Sequence, residues 1–552
     1  MEKFKKLINH QSLTYITILI VAINPIIELD YLLYDSFFSQ VGIPRISTLV
    51  HFILIPLLIF WTFLQKDKHK KITVIATAIY GVAVLAYFII HVLYVNRIWI
   101  YLYLPPRFDF RPYQELVYVV TLLMPYFLIY QFFLLNIKES LVKKMTLFLS
   151  GIISTPILVS NIFMFGQGTY ISSIAPRAPF FMWFFAETHQ LHGPRYLASK
   201  FFFEEGNTIG ILLFMLLPIM YYFLARSEST KEKVITSTLI VIQSLAMIIL
   251  ATRVAAFGAV LIPISFLVIY LFCCFIMKNE QFKTYVAVVT ILIGVFGTII
   301  LPVSPAILHH RQGEVDNQII IRDRQQLEDA IASWEASDRD YHSRYCPQLV
   351  FMFQSYALSR YEFQYIHPNS YIDGGANLLG NVPRIFFNFW YPYEHDAVFW
   401  VDVVMFGTPP ENRVNNRQIQ RIFFDYKLDE LDGQPIWLGM GFSTFMNGSI
   451  VLEQDFIQQI YTLGIVGSVL LTGPWLYVTF AGIVLILRKF KQLLNMEVLC
   501  YGVAIIVALI SAYLSGHTID KFTTSIYMAF IVAILLRRIY SLYKEGKVND
   551  KS

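Results

Sequence analysis

The chain has 552 residues, of which 56% are hydrophobic and only 15% are charged, whereas a soluble domain carries roughly a quarter charged residues. This composition excludes a water-exposed surface over most of the chain and suits a surface that faces lipid. The net charge of +5 is too small to indicate a nucleic-acid partner, and the four cysteines offer neither a disulfide framework nor the spacing of zinc ligands.

Twelve apolar segments follow one another along the chain, each close to the roughly 20 residues that a helix needs to cross a bilayer. They lie near 13–29, 46–65, 72–94, 116–136, 145–165, 207–225, 234–251, 255–277, 285–303, 458–487, 497–514 and 522–540. The sequence therefore predicts an all-α polytopic membrane protein with about twelve transmembrane helices.

Lysine and arginine residues occur in every second loop between these spans, and lysines occur at both termini. This alternation predicts a multi-pass protein of the cytoplasmic (plasma) membrane with both termini in the cytoplasm. The expected organisation is an N-terminal membrane domain of about nine helices (1–303), a large and mostly helical extracytoplasmic domain between helices nine and ten (304–455), and a C-terminal membrane domain of about three helices with a short cytoplasmic tail (456–552).

This topology makes a direct prediction for thiol labelling in intact cells. In a variant without the native cysteines, we expect a cysteine near Gly374 to react with a membrane-impermeant reagent, and a cysteine near Lys68 not to react. Reaction at both positions, or at Lys68 alone, would contradict the orientation.

Basic and polar residues precede the sixth predicted span. Arg195 and Lys200 come before it, and Asn207 is expected to cap the helix by accepting a hydrogen bond from its first turn. One interpretation is an ordinary capped helix that is anchored at the interface. The other is an anion site, such as one for a diphosphate, because a helix N-terminus carries partial positive charge.

Arg253 lies in the short turn between the seventh and eighth predicted spans. An arginine at a helix end often extends to lipid headgroups. Here the turn leaves the side chain little freedom, and the following small residues permit close packing. A guanidinium held in this way can bind a pyrophosphate through two hydrogen bonds.

Three further candidates lie near the end of the large loop and beyond it. Glu453 and Asp455 precede the tenth span, where acidic residues either stabilise a helix N-terminus or accept a proton from a sugar hydroxyl. His517 follows Gly516 between the last two spans, and a single histidine has a structural or a catalytic role.

Taken in chain order, these features resemble the superfamily of O-antigen ligases and O-antigen polymerases, in particular its Gram-positive polysaccharide-polymerase branch. The resemblance spans roughly residues 200–520. Its motifs are a Phe-rich segment (Phe202–Gly210), a Thr-Arg turn (Thr252-Arg253), a Gly-x-Gly-Phe turn (Gly439–Phe442), Glu-x-Asp before Gly-x-x-Gly (Glu453, Asp455, Gly464, Gly467) and a Gly-His pair (Gly516-His517). Many Gram-negative members carry His-Asn where this chain has Glu453-Gln454. Glu453 or Asp455 is therefore expected to replace that histidine as the base.

The resemblance implies a membrane-embedded glycosyltransferase architecture that needs no metal ion or other cofactor. It also implies an undecaprenyl-diphosphate-linked glycan as donor, a glycan as acceptor, the lipid bilayer as surroundings, and a flippase and a chain-length regulator as partners of a polymerase. The lipid diphosphate is itself a good leaving group. Catalysis then requires mainly that basic residues hold the diphosphate (Arg195, Lys200, Asn207 and Arg253) and that the acceptor hydroxyl is positioned near a base (Glu453, Asp455 or His517).

The leading hypothesis is a polymerase that joins lipid-linked oligosaccharide repeat units into a cell-surface polysaccharide at the outer face of the membrane. One alternative is a ligase that uses the same donor and another acceptor. Another is a flippase or transporter of lipid-linked glycans, although transporters tend to carry charged or broken helices at mid-membrane in both halves. An assembly subunit without enzymatic activity is a further alternative.

Overall fold

The computed structural model describes residues 10–65, 71–169, 198–308 and 416–549, together with single residues between 390 and 408. Nine helices of the first three segments are long and apolar enough to cross a membrane: α1 (Gln11–Leu33), α2 (Ile46–Leu64), α3 (Val74–Tyr101), α4 (Pro112–Leu135), α5 (Glu139–Ile162), α6 (Gly206–Ala225), α7 (Thr230–Ile249), α8 (Arg253–Ile276) and α9 (Thr284–Leu308). The last segment contains α10 (Asn416–Asp429), α11 (Phe442–Asn447), α12 (Asp455–Leu471), α13 (Gly473–Arg488), α14 (Met496–Leu514) and α15 (Phe522–Lys544).

The predicted all-α polytopic membrane fold is confirmed. Eleven of these helices qualify as membrane spans individually, and α12 with α13 qualify together as a twelfth. The sequence predicts one span over 458–487, whereas the structure has a break at Thr472 between two helices. A single helix of that length exceeds what a bilayer requires, and Pro474 lacks the N–H group that a continuous helix would use.

The described residues form two compact units. The first unit comprises residues 1–79, 120–309 and 473–552, and the second comprises 80–119 and 310–472. The division at residues 303 and 455, and the extracytoplasmic position of 304–455, stay predictions from the sequence.

Helix α6 is the centre of the first unit. Its apolar window is fully buried, whereas the windows of the other single spans are between 22% and 56% buried. It packs against α5, α7, α8, α14 and α15. Small residues allow the close approach of α8, because a Cβ atom at Gly210 would lie 2.7 Å from Thr252 Oγ1, and one at Gly258 would lie 2.6 Å from Phe214 Cδ2.

The second unit has an aromatic core. Phe108, Phe423 and Phe445 are buried there and contact one another in tilted or edge-to-face geometry at centroid distances of 6.1–6.4 Å. The buried carboxylate of Glu115 accepts backbone N–H groups from Phe442 (3.0 Å) and Ser443 (2.8 Å) and so fixes the start of α11.

Glycine residues are required where the segment before α11 crosses α12. Gly439 has a φ of +84°, and a Cβ atom there would lie only 2.2 Å from the Thr462 carbonyl oxygen. Gly464 has a φ of +72° and a Cβ atom would lie 2.4 Å from the Trp437 oxygen. The close backbone turn that the Gly-x-Gly-Phe motif predicts is thus confirmed.

This crossing predicts different effects of alanine at two glycines. Gly433 has a φ of +70° but nothing within 4 Å of its added Cβ atom. We expect Gly433→Ala to cost only the conformational penalty of about 1–2 kcal/mol, and Gly439→Ala to cost distinctly more because it adds a clash with backbone. Thermal unfolding of the detergent-solubilised full-length protein, followed by size-exclusion chromatography, measures both. Equal effects would show that the close approach is unimportant.

Candidate functional site

The start of α6 is one residue earlier than expected from the sequence. The helix begins at Gly206, with Glu205 in the N-cap position and extended in backbone conformation. The prediction that Asn207 caps the helix is therefore wrong, because Asn207 is already its second residue. The earlier start places Gly206 tightly against Thr169, where a Cβ atom would lie 2.6 Å from the threonine Cγ2.

An ionic cluster lies beside this helix start. Lys521 Nζ donates a 2.7 Å hydrogen bond to Glu205 Oε1, and Thr208 Oγ1 donates one of 2.8 Å to Glu205 Oε2. His517 Nδ1 lies 3.8 Å from the same Oε2. Burial would raise the pKa of Glu205, but the charges of Lys521 and His517, together with the hydrogen bonds, outweigh burial and lower the pKa to about 2. Glu205 is consequently an anion at neutral pH.

This cluster continues into a polar network at the ends of α1, α2 and α15. Arg45 binds Asp30 (3.0 Å) and Glu204 (3.3 Å), and the Thr523 hydroxyl lies 2.6 Å from both carboxylate oxygens of Glu28. None of these five residues is a site candidate from the sequence alone. A signal was nevertheless present, since Glu28 is an acidic residue inside the first predicted span.

The pKa of Glu205 predicts how its contribution to stability depends on pH. Its pKa in the folded protein is below the ordinary value of 4.5, so its stabilising effect is complete above pH 4.5 and disappears as pH falls toward about 2. We expect Glu205→Gln to lower the melting temperature at pH 7, with the difference from the native protein narrowing between pH 5 and pH 3.

A suitable control is Glu232→Gln, which removes an ion pair with Lys143 at 3.1 Å. Glu232 is exposed, so we expect almost no change in melting temperature. A difference for Glu205→Gln that stays constant with pH would mean that its charge is not the cause.

Lys200 has a structural partner within the loop that precedes α6. Its side chain is buried, and Nζ donates a 2.7 Å hydrogen bond to the Glu204 carbonyl oxygen. Burial lowers the pKa of Lys200, opposed by the charges of Glu205 and Glu204. The neighbouring Ser199 is fixed by Asn161, whose amide pairs with both backbone groups of the serine at 2.8 Å. Lys200 thus helps to hold this loop.

Arg253 is the first residue of α8, whereas the sequence places it in the turn before the eighth predicted span, and its side chain is exposed. Within the described residues, no hydrogen bond or ion pair engages its guanidinium. The preceding Thr252 is fully buried against Gly206 and Gly210, which puts the start of α8 beside the start of α6. Ala251 has a φ of +66°, which closes the turn. The backbone of Arg253 is therefore fixed where the start of α8 lies beside the start of α6, and its guanidinium is exposed.

Glu453 and Asp455 have different surroundings in the second unit. Glu453 Oε2 accepts hydrogen bonds from Arg417 Nη2 (2.9 Å) and Nε (3.2 Å), and the pair is partly exposed. Asp455 is buried and is the first residue of α12.

The structure brings together part of the predicted set. Lys200, Asn207, Arg253 and His517 belong to the first unit and lie around the start of α6, whereas Glu453 and Asp455 belong to the second unit. Arg195 lies outside the described residues. No group of three or more His, Cys, Asp or Glu side chains in the described segments is arranged to hold a metal ion.

Comparison with known proteins gives one match that covers almost the whole chain. The family model described as "O-antigen ligase like membrane protein" matches residues 10–541. No curated protein and no solved structure matches the chain. This match confirms the resemblance to the superfamily of O-antigen ligases and O-antigen polymerases.

Proposed function

The chain belongs to the family of O-antigen ligase like membrane proteins, and from this premise we propose that it polymerises lipid-diphosphate-linked oligosaccharide repeat units into a cell-surface polysaccharide. Family membership implies a glycosyltransferase-like enzyme and lipid-linked glycan substrates at a membrane. The reaction would take place at the outer face of the cytoplasmic membrane, which the alternation of basic loops supports.

The position and exposure of Arg253 are the main support for the proposed binding of the donor. Its exposed guanidinium has no partner among the described residues, and its backbone begins α8 beside the start of α6. Hydrogen-bond donors in a planar fork, supported by helix dipoles, suit a diphosphate. We assign Arg253 the main contact with the donor diphosphate, with Arg195, Lys200 and Asn207 as further candidates.

The transfer exchanges one bond of the anomeric carbon for another. The acceptor hydroxyl oxygen forms a bond to the anomeric carbon of the donor, and the bond from that carbon to the lipid diphosphate breaks. The diphosphate leaves with the electron pair, and a base takes the hydroxyl proton. Our first candidate for this base is Glu453, because both hydrogen bonds from Arg417 end on Oε2 and leave Oε1 available. Asp455 and His517 are the alternatives.

A ligase that transfers the glycan to a different acceptor remains the second candidate function, because the matching family is described by ligation. The two functions differ in what accumulates when the gene is deleted. We expect single repeat units to remain on the lipid or the cell surface if the protein is a polymerase. Long chains that stay on the lipid would indicate a ligase, and an unchanged length profile with full surface attachment would contradict both.

A further inference from the structure

Helix α12 carries a buried polar stripe along its first two turns. Asp455, Gln458, Gln459 and Thr462 are spaced by three or four residues, so they share one face of the helix. Each of the four is at most 1% exposed. A face of this kind is unusual in a helix that is otherwise apolar enough to contribute to a membrane span.

Three of the four amide atoms of the two glutamine side chains in this stripe lack hydrogen-bond partners within the described residues. Both Nε2 and Oε1 of Gln458 are buried without a partner in the described structure, and so is Nε2 of Gln459. The remaining amide oxygen, Gln459 Oε1, accepts a hydrogen bond from the Thr472 hydroxyl. Buried amide atoms without partners reduce stability. Gln458 Oε1 is therefore without a donor, and the Nε2 atoms of Gln458 and Gln459 are without acceptors, among the described residues.

We propose that this stripe is a carbohydrate subsite, which binds hydroxyl groups of a glycan repeat unit. A sugar hydroxyl donates and accepts at once, and this matches the unpaired oxygen and nitrogen of Gln458. The stripe contains no lysine or arginine, so it lacks the charge that recognition of a diphosphate requires. Its four residues span about 10 Å of helix, which is the length of roughly two sugar rings. The proposal rests on the proposed function and adds to it the place where the uncharged part of a substrate is recognised.

The test uses Gln458→Leu and Gln459→Leu in the full-length protein, because leucine preserves much of the side-chain volume and removes the polar atoms. The probe is the repeat-unit oligosaccharide of the producing cells, released from its lipid by mild acid so that it carries no diphosphate. We expect each variant to weaken binding of this oligosaccharide about tenfold, and to leave the binding of inorganic pyrophosphate unchanged. The melting temperature of Gln458→Leu should stay the same or rise, since an unpaired buried amide is removed, whereas that of Gln459→Leu should fall slightly because the variant also loses the hydrogen bond from Thr472.

Gln243→Leu is the matched control. Gln243 is equally buried in α7, but it pairs with Ser150 (2.7 Å) and with the Leu213 oxygen (2.7 Å). We expect this variant to lower the melting temperature without changing oligosaccharide binding.

Two results would contradict the proposal that the stripe binds carbohydrate. The first is that both stripe variants bind the oligosaccharide as well as the native protein does. If their melting temperatures are also lowered, the glutamine amides form hydrogen bonds with ordered water instead. The second is a native protein that extends lipid-linked repeat units but does not bind the free oligosaccharide. Failure of the native protein to extend lipid-linked units would instead contradict the proposed function.

Discussion

Arg253→Ala is expected to remove nearly all polysaccharide synthesis. A charge-assisted contact that is lost from a binding site costs about 2–5 kcal/mol, which corresponds to a decrease of roughly 30-fold to several thousand-fold in transfer. Because Arg253 is exposed and unpaired within the described residues, its removal should leave the fold intact. The measurement is the rate at which the purified protein extends lipid-linked repeat units, with the melting temperature recorded alongside.

Two variants define what the arginine contributes. Arg253→Lys keeps the charge but loses the planar fork, so we expect it to recover only part of the activity. Arg488→Ala removes an exposed arginine at the end of α13 and should have near-native activity. Near-native activity of Arg253→Ala at normal expression would mean that Arg253 only anchors α8 at the membrane interface.

Glu453→Gln is expected to decrease transfer by about 10²- to 10⁴-fold, which is the usual contribution of a positioned general base. Glutamine preserves the shape of the side chain and removes its capacity to accept a proton. The same extension assay measures the effect, with substrate concentrations high enough to separate the rate of transfer from binding.

Arg417→Gln distinguishes a catalytic from a structural Glu453. If Glu453 serves only as the ion-pair partner of Arg417, both variants break the same interaction and should have the same modest effect. We expect Glu453→Gln to be far more damaging. If it keeps full activity while Asp455→Asn or His517→Ala loses activity, the base is one of those residues. If all three variants retain activity, transfer depends on binding of the diphosphate alone.

The spans and turns of this protein were predictable because their determinants are local in sequence. A run of apolar residues defines a membrane helix regardless of its neighbours, and Gly439 and Gly441 mark a backbone conformation that other residues rarely adopt. The starts of helices are less certain, as Asn207 illustrates, because several polar residues in a row are compatible with a cap.

Pairings between distant residues were not predictable. Glu205 and Lys521 are 316 positions apart, and neither is unusual in its own segment. The same applies to Glu453, whose partner Arg417 lies on a helix outside the predicted spans. Likewise, hydropathy does not reveal that α6 is the central helix, since all twelve spans are apolar.

The complete burial of α6 has a consequence for the biogenesis of the protein. Three of its neighbours (α5, α7 and α8) are synthesised close to it in time, but α14 and α15 belong to the last 60 residues of the chain. Until these two helices enter the bilayer, one side of α6 must be covered by lipid or by a chaperone. A ribosome-released chain that ends before α14 should therefore be a substrate for membrane proteases, even though ten of its spans are complete.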